Sequence, residues 1–320
     1  MVRGDDGVMQ AEHIKQAIQW RKLIDVLLDE NQFADLVLKN GYVINTITRE
    51  IYEADVAVKG EYILMVGDAK ELIGGGTKVV DATGKFISPG FIDSHMHFES
   101  SMLTCTEFSR LSIPTGTTTI VADPHEIGNV LGVYGMKEMI KEAKTLPNQI
   151  YFDVPAAVPD APGLETSGFE VNSKHMGELL NDPYVGGIGE IQSFSNVQPV
   201  YKNAPELIDD LVAAVAYAKS IGKNVDGNAP GLFGKELAAH IISGGTDVSC
   251  HETTTKEEMM EKLRYGVSVF MREGSSQRNM AECIRAITEE GMDSRRAILV
   301  TDDMVPEDLR EGGHMNDVIR

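Results

Sequence analysis

The chain has 320 residues, enough for one large domain and a smaller one, with a formal net charge of -20 and a pI near 4.8. A surface this acidic repels nucleic acid and anionic lipid, and the sequence has no basic cluster to offset that repulsion. We therefore expect neither nucleic acid nor a membrane as a partner. Three distant cysteines, Cys105, Cys250 and Cys283, do not make a disulfide framework. Because no apolar stretch suits a leader or a bilayer span, we expect a soluble cytoplasmic protein.

Two different patterns occupy the segment before residue 89. Apolar residues from Met9 to about Asn31 recur at a spacing near 3.6, which predicts one amphipathic helix in an N-terminal arm of residues 1–33. Residues 34–88 change to short runs that end in glycine-containing turns, at 34–41, 55–60 and 78–84. These runs predict a small all-β domain.

From residue 89 onwards, continuous apolar runs alternate with helical patterns such as those at 206–215 and 257–263. Continuous apolar runs are typical of parallel strands covered on both faces. Eight runs within roughly 230 residues match a (β/α)8 barrel, the α/β fold that we predict for residues 89–320. No glycine-rich phosphate loop follows a run in the right context, so a nucleotide cofactor is not expected. The predicted strands are centred on 91–93, 119–122, 150–153, 187–189, 223–226, 247–249, 267–270 and 297–300.

The first predicted barrel strand ends in a pair of histidines, His95 and His97, on either side of Met96. Active sites of such barrels lie at the C-terminal ends of the strands. Because successive side chains on a strand point to opposite faces, the two imidazoles point the same way and can bind one divalent cation. The pair therefore predicts a metal site.

Other predicted strands end in residues of the same chemical kind. Glu190 follows the fourth run, His251 the sixth and Asp302 the eighth, and the stretch Asp123-Pro124-His125-Glu126 follows the second. Each alone also fits a structural role, such as a helix N-cap, a surface carboxylate or a core histidine. Together at one barrel mouth, imidazoles and carboxylates form a ligand set that suits Zn, Fe or Mn.

With these motifs, the chain from about residue 34 to its end resembles the amidohydrolase superfamily and, within it, the bacterial adenine deaminases. The histidine pair alone indicates only the superfamily, and its combination with the stretches at 99–101 and 123–126 narrows the resemblance. The stretches that carry it are 89–102, 123–127, 231–237, 250–252, 272–275 with Arg278 and Asn279, and 301–303.

The resemblance implies hydrolytic deamination of adenine to hypoxanthine and ammonia, with hydroxide generated on one or two divalent ions, Mn, Fe or Zn, attacking C6. It also implies a role for each matching metal-site residue. His95 and His97 would bind the first ion, Glu190 would be a shared ligand, and His251 would bind the second. Asp302 would be both a ligand and the proton acceptor.

Two roles are left open by the sequence. The acid that protonates the ring or the leaving amine is Glu99, His125 or Glu126. The stretch after the seventh strand, with Arg272, Glu273 and Ser275, either recognises the purine edge or forms ion pairs that tie its loop to neighbouring loops.

Asn228 departs from the family pattern. In the family, the loop after the fifth strand reads glycine and then histidine, and that histidine is a metal ligand, but here Asn228 follows Gly227. An amide oxygen is a poor substitute for imidazole at a transition metal. We therefore expect one metal position to be weakened or lost, which leaves a mononuclear enzyme or a catalytically impaired one.

The second departure is length, because the chain ends one short helix after the last strand, whereas related enzymes continue. In amidohydrolases that later segment completes the small β unit, so strand edges in 34–88 are expected to lack partners. A fragment, a homo-oligomer, or a partner chain that completes the missing part would each account for this. Rival functions are another amidohydrolase acting on a cyclic amide or a different base, and an inactive paralogue serving as a binding or assembly subunit.

Overall fold

The computed structural model describes residues 11–29, 31–159, 166–191, 206–244 and 248–320. Contacts between Cα atoms divide the chain into two compact units, Met1–Pro89 and Gly90–Arg320. None of the helices in the described part of the chain combines the length and the apolar character that a bilayer span demands.

The first unit begins with helix α1 (Ala11–Leu28), within the range predicted for the N-terminal arm. Several apolar side chains of this helix stay about half exposed, Ile18 at 53% and Trp20 at 51%. A 3-10 turn, Lys70–Leu72, also belongs to this unit. Its strands are β1 (Leu36–Asn45), β2 (Glu50–Lys59), β3 (Tyr62–Gly67), β4 (Lys78–Asp81) and β5 (Phe86–Ile87).

These strands form one mixed sheet in the order β3-β2-β1-β4, with β5 also paired to β1. Strands β1, β2 and β3 are antiparallel neighbours, whereas β4 and β5 run parallel to β1.

The runs predicted at 34–41, 55–60 and 78–84 correspond to β1, β2 and β4, but β3 and β5 were not predicted. An unbroken apolar run such as 62–66 suits a helix or a strand, and a strand of two residues has no periodicity to read. Within the described residues, β3 and β4 each pair along one edge only.

Among the described residues of the second unit there are eight strands, and each coincides with one of the eight predicted runs, although residue 247 of the sixth run lies outside the described residues. They form two sheets of parallel strands, in the orders β10-β9-β8-β7-β6 and β11-β12-β13. The strands are β6 (Phe91–Met96), β7 (Thr117–Ala122), β8 (Gln149–Pro155), β9 (Val185–Ile191), β10 (Asn224–Gly227), β11 (Ser249–Cys250), β12 (Ser268–Arg272) and β13 (Ala297–Val300).

Helices follow most of these strands, including those predicted near 206–215 and 257–263. The α-helices are α2 (Cys105–Ser112), α3 (His125–Ala143), α4 (Ser173–Leu179), α5 (Glu206–Ser220), α6 (Gly234–Ser243), α7 (Lys256–Arg264), α8 (Met280–Cys283), α9 (Arg285–Thr288), α10 (Pro306–Glu311) and α11 (Met315–Ile319). Shorter 3-10 turns lie at Glu99–Ser101, Ile113–Thr115 and Ser294–Arg296.

The first and last strands of this unit are joined where they end. Met96 and Asp302 form a parallel bridge, and the Asp302 N–H donates to the His95 carbonyl at 3.0 Å. The main core lies against the strands, where Phe152, Ile120 and Ile188 are fully buried. A parallel arrangement of this kind brings the carboxyl ends of distant strands to one edge.

A buried polar cluster reinforces the junction of β6 and β13. Asp93 accepts hydrogen bonds from the Thr301 hydroxyl and from the Thr301 N–H. His314 places Nε2 2.9 Å from Asp93 Oδ2 and Nδ1 2.9 Å from the Thr117 hydroxyl. Because Asp302 follows Thr301 directly, this cluster holds the Asp302 backbone beside His95.

Candidate metal centre

The two histidines predicted from the first strand lie side by side and are almost completely buried, each 3% exposed. His97 Nε2 lies 3.2 Å and His95 Nε2 3.4 Å from one oxygen, Glu190 Oε1. His251, directly after β11, brings its Nε2 to 3.7 Å from the same oxygen. Three imidazole Nε2 atoms from two different sheets therefore converge on one carboxylate oxygen.

The opposite edges of these imidazoles contact other acceptors. His97 Nδ1 lies 3.0 Å from the backbone carbonyl of Asp123. His95 Nδ1 and His251 Nδ1 lie 3.1 Å and 3.3 Å from Asp226 Oδ2. Every ring thus turns Nδ1 away from Glu190 and Nε2 towards it.

Asp302 completes the converging set. Its backbone is left-handed, with φ of 60°, a conformation that aspartate tolerates better than most residues. Asp302 Oδ1 lies 3.5 Å from His97 Nε2, and Oδ2 accepts a hydrogen bond from Arg272 Nη1 at 2.8 Å. Burial by itself would raise the pKa of Asp302, but the nearby His95, His251 and His97 and the Arg272 hydrogen bond hold it below its ordinary value. Asp302 is therefore an anion at neutral pH.

A glycine directly before Glu190 leaves room for a neighbouring carboxylate. A Cβ atom at Gly189 would lie 2.6 Å from Asp123 Oδ2, so a larger residue there would require the Asp123 carboxylate to shift. The Glu190 N–H donates to the same Asp123 oxygen at 3.0 Å. The remaining carboxylate oxygen, Glu190 Oε2, accepts a hydrogen bond from Asn228 Nδ2 at 3.1 Å.

Asn228, the departure from the family pattern, thus lies inside the centre and is 6% exposed. Its amide nitrogen donates to Glu190, and its Oδ1 atom is buried without a hydrogen-bond partner in the described part of the chain. Asn228 therefore contacts Glu190 through a hydrogen-bond donor, whereas an imidazole at this position could offer a lone pair to a metal ion.

The three candidate acids form a second cluster beside His97. Glu126 carboxylate oxygens lie 3.5 Å from His97 Nδ1 and 3.5 Å from His125 Nε2, and His125 Nδ1 lies 3.5 Å from Asp123 Oδ1. Glu99 accepts the Ile127 N–H at 3.1 Å. Burial and the neighbouring Glu126 raise the pKa of Glu99 to about 7. Burial would lower the pKa of His125, but Asp123 and the nearby glutamates raise it to about 10.

The residues after β12 separate into different contacts. Arg272 Nη1 donates to Glu252 at 2.9 Å as well as to Asp302, while its Nε has no partner among the described residues. Glu273 lies 3.7 Å from Arg278 Nε, and the Ser275 hydroxyl accepts the Val305 N–H at 2.9 Å. Arg272 therefore pairs with neighbouring segments, the Glu273–Arg278 pair stays within its own loop, and Arg272 Nε is left as a donor, so both interpretations of this loop stay open.

The donor set fits a bound divalent cation. His95 Nε2 is buried and makes no hydrogen bond in the described part of the chain, although it faces a carboxylate. Burial would lower the pKa of His95, yet Asp226 and Glu190 raise it well above its ordinary value, which shows that this carboxylate-rich site favours a positive charge. His95, His97 and Asp302 form one group of ligand atoms close enough to share an ion, and His95, Asp226 and His251 form another.

Asp226 and the Asp123 carbonyl are the contacts that the sequence reasoning missed. The sequence pattern places Asp226 only within the fifth predicted strand. The signal was present, because side chains two apart on a strand share a face and Asn228 was already singled out. Asp153, on β8, is a further carboxyl group in this interior, half-buried as a residue, with its Oδ1 atom buried and unpartnered among the described residues.

Comparison with known proteins agrees with these motifs. The amidohydrolase family profile matches residues 86–291. Adenine deaminase 1 of Carboxydothermus hydrogenoformans is 67% identical over 312 residues, which cover 97% of this chain and 52% of that protein. Adenine deaminases of Moorella thermoacetica and Rhizobium meliloti are 40% and 41% identical, over 90% and 93% of this chain and 47% and 49% of their own lengths. The chain thus spans about half the length of the curated relatives it matches.

Solved structures show the same fold at low sequence identity. A crystal structure of an adenine deaminase aligns with a TM-score of 0.53 and 16% identity, covering 88% of this chain and 76% of that one. A beta-aspartyl dipeptidase from Fervidobacterium islandicum AW-1 gives 0.54 and 15%, over 83% of this chain and 72% of that one. With a family match over residues 86–291 and parallel strands that carry histidines and acids at their ends, this chain belongs to the amidohydrolase family.

Proposed function

We propose that this chain forms the metal-dependent catalytic unit of an enzyme that deaminates adenine hydrolytically. The observation that carries the proposal is the convergence of three imidazole Nε2 atoms on Glu190 Oε1, with the Asp302 carboxylate beside them. The substrate comes from the relatives, which are named adenine deaminases.

The ligands that we assign to the ion are His95, His97, Glu190, His251 and Asp302. Neutral imidazoles with carboxylates suit Mn, Fe or Zn, and we propose one of these. A bound divalent cation supplies the acidification of water that hydrolysis near neutral pH requires. Asn228 donates a hydrogen bond to Glu190 where a second ion would need a lone pair, which supports a centre with one ion.

The protein's own groups then move the protons. During deamination a C6–O bond forms, the bond from C6 to the exocyclic nitrogen breaks, and ammonia leaves. Asp302, an anion held by Arg272, accepts the proton from the attacking water. The leaving amine needs a proton in return, which Glu99, His125 or Glu126 delivers from the cluster beside His97.

Substrate recognition is assigned to the loop after β12. Arg272 Nη1 donates hydrogen bonds to Asp302 and Glu252, whereas its Nε remains available. The same guanidinium can therefore orient Asp302, the proposed proton acceptor, and donate a hydrogen bond to the purine. Glu273 and Ser275 are the further contacts that we propose for the purine edge.

We further propose that residues 89–320 make a complete (β/α)8 barrel, preceded by a small all-β domain at 34–88 and a helical arm at 1–33. The eight parallel strands and the bridge between the first and last of them support this arrangement. The single-sided pairing of β3 and β4, together with relatives about twice as long, supports a homo-oligomer or a partner chain that completes the β unit.

Asn228 also supports a second candidate function, that of a catalytically impaired paralogue serving as a binding or assembly subunit. One assay separates the two. The purified chain is loaded with Mn(II), Fe(II) or Zn(II), and ammonia released from adenine is measured beside a His95→Ala variant and the surface control Glu178→Gln, whose side chain is exposed. Release that is lost in His95→Ala and kept in Glu178→Gln supports the deaminase. Metal binding without turnover of adenine supports the subunit, and turnover of another cyclic amide or base would point to a different amidohydrolase.

A further inference from the structure

Asp226, the last residue but one of β10, faces two of the proposed ligands at the ring edges that point away from Glu190. It is 3% exposed, and its Oδ2 atom lies 3.1 Å from His95 Nδ1 and 3.3 Å from His251 Nδ1. One carboxylate oxygen is therefore shared between two imidazoles that come from different sheets. The His95 distance lies within the hydrogen-bonding range and the His251 distance just beyond it, and Asp226 Oδ2 and His251 Nδ1 have no formed hydrogen bond among the described residues, so these atoms are close enough to pair after a small adjustment.

We propose that Asp226 is a positioning residue that holds the proton of both rings on Nδ1 and thereby aims both Nε2 lone pairs at the metal position. The inference rests on the proposed function only in taking that position to hold a divalent ion. A metal-bound histidine commonly donates its other ring N–H to a carboxylate or a carbonyl, which fixes its tautomer and ring orientation. Here one carboxylate serves two histidines.

The other Asp226 oxygen is fixed by donors outside the centre. Oδ1 accepts the Gly227 N–H at 2.9 Å and the Ser249 hydroxyl at 2.5 Å. An ionised carboxylate has about four acceptor directions, so these two donors occupy Oδ1 and leave Oδ2 for the two imidazoles that face it. Because Ser249 lies two residues before His251, the same hydrogen bond ties the carboxylate to the strand that presents that ring.

A direct role for Asp226 as a ligand fits the contacts less well. If an ion lay between Asp226 and the two Nδ1 atoms, both Nε2 atoms would still face Glu190, at 3.4 Å and 3.7 Å, without a cation between them. His97 supplies an internal comparison. Its Nδ1 contacts a carbonyl at 3.0 Å and its Nε2 faces Glu190, so it has the same orientation without Asp226.

Asp153 offers a matched control in the same interior. It is a half-buried aspartate on β8 whose Oδ1 atom is buried without a hydrogen-bond partner among the described residues, and no ring nitrogen there forms an ion pair with it. An Asp153→Asn variant therefore makes the same chemical change without removing a contact to His95 or His251.

The test compares wild type with Asp226→Asn, Asp153→Asn and Ser249→Ala. Zinc affinity is measured by competition with a chromogenic chelator, and histidine tautomers are read from 15N NMR spectra of the zinc-loaded chain. We expect Asp226→Asn to bind zinc about 10- to 100-fold more weakly, the range found for outer-shell partners, and to lose the Nδ1–H signals of two histidines. Ser249→Ala should show a smaller loss in the same direction, and Asp153→Asn should match wild type.

Three results would overturn the inference. Equal zinc affinity in Asp226→Asn and Asp153→Asn would show that the carboxylate does not position the rings. A loss far beyond 100-fold with fewer ions bound would make Asp226 a ligand. Failure of the wild type to bind zinc, manganese or iron would remove the proposed metal centre itself. If Asp226→Asn does not fold in the metal-free state, as judged by thermal unfolding, the Ser249→Ala series decides, and unchanged affinity there contradicts the proposal.

Discussion

The two oxygens of Glu190 lie in different surroundings, and the contrast divides the centre into a complete side and an altered one. Oε1 faces three imidazole Nε2 atoms, the nearest at 3.2 Å. Oε2 accepts a hydrogen bond from the Asn228 amide at 3.1 Å. The first side offers lone pairs to a cation, whereas the second presents a polar N–H. The contrast shows that the Asn228 amide presents a hydrogen-bond donor to Glu190 where an imidazole could offer a lone pair.

On the complete side, we expect the largest loss of metal affinity when a direct ligand is removed. We expect His97→Ala to lower metal affinity by more than the roughly 100-fold that loss of an outer-shell partner causes. Metal content after dialysis measures the effect. Met96→Leu is the control, because Met96 belongs to the hydrophobic core, alternation along the strand turns it away from the two histidines, and the change conserves volume. Equal metal content in His97→Ala and Met96→Leu would contradict the assignment of His97.

The next largest effect is expected at the ion pair that holds Asp302. Arg272 is 3% exposed, so Arg272→Met leaves the buried carboxylate of Asp302 without its cationic partner. Loss of one partner of a buried pair costs about 3 kcal/mol of unfolding free energy. Urea unfolding beside Arg264→Met, a change at an exposed arginine, measures it. A midpoint no lower than that of Arg264→Met would show that Asp302 is stabilised by other contacts.

The altered side is tested by placing an imidazole at position 228. Asn228→His should raise bound Mn(II) or Zn(II) from about one to about two ions per chain, because a second nitrogen lone pair then joins His251. Metal analysis of the purified protein checks this, and the deaminase rate should rise with it. Asn224→His, at an exposed position of the same strand, controls for an added surface histidine. Equal metal content and equal rates in wild type and Asn228→His would rule out a missing ligand.

The smallest effect concerns stability below neutral pH on the β10 side. Burial and the neighbouring Lys262 lower the pKa of His240 from its ordinary 6.5 to about 4. The unfolded chain therefore binds a proton between these pH values when the folded chain does not, so stability is present above pH 6.5 and is lost as the pH falls towards 4. The contribution from this residue amounts to about 2 kcal/mol between pH 7 and pH 5.

Thermal unfolding of wild type and His240→Gln over that range isolates the contribution, because the remaining groups titrate in both proteins. The wild type should lose more stability on acidification than the variant. Parallel pH profiles would show that His240 is not the group that titrates.

Much of the second unit was predictable from the sequence, because the determinants are local. Strands of a covered parallel sheet must be apolar on both faces, so the eight runs could be read directly. Alternation along a strand also placed His95 and His97 on one face. The departure at Asn228 was visible for the same reason, since it depends only on which residue follows Gly227.

Only the tertiary structure decided which atoms meet. The sequence could not show that Arg272 Nη1 holds Asp302, that Asn228 turns its amide nitrogen towards Glu190, or that Asp226 lies between His95 and His251. These contacts join strands that are far apart in the chain, and their geometry depends on sheet register and on side-chain rotation. Residue type fixes which chemistry a strand end can offer, whereas the convergence of those ends fixes which ring nitrogen and which carboxylate oxygen are left to bind an ion.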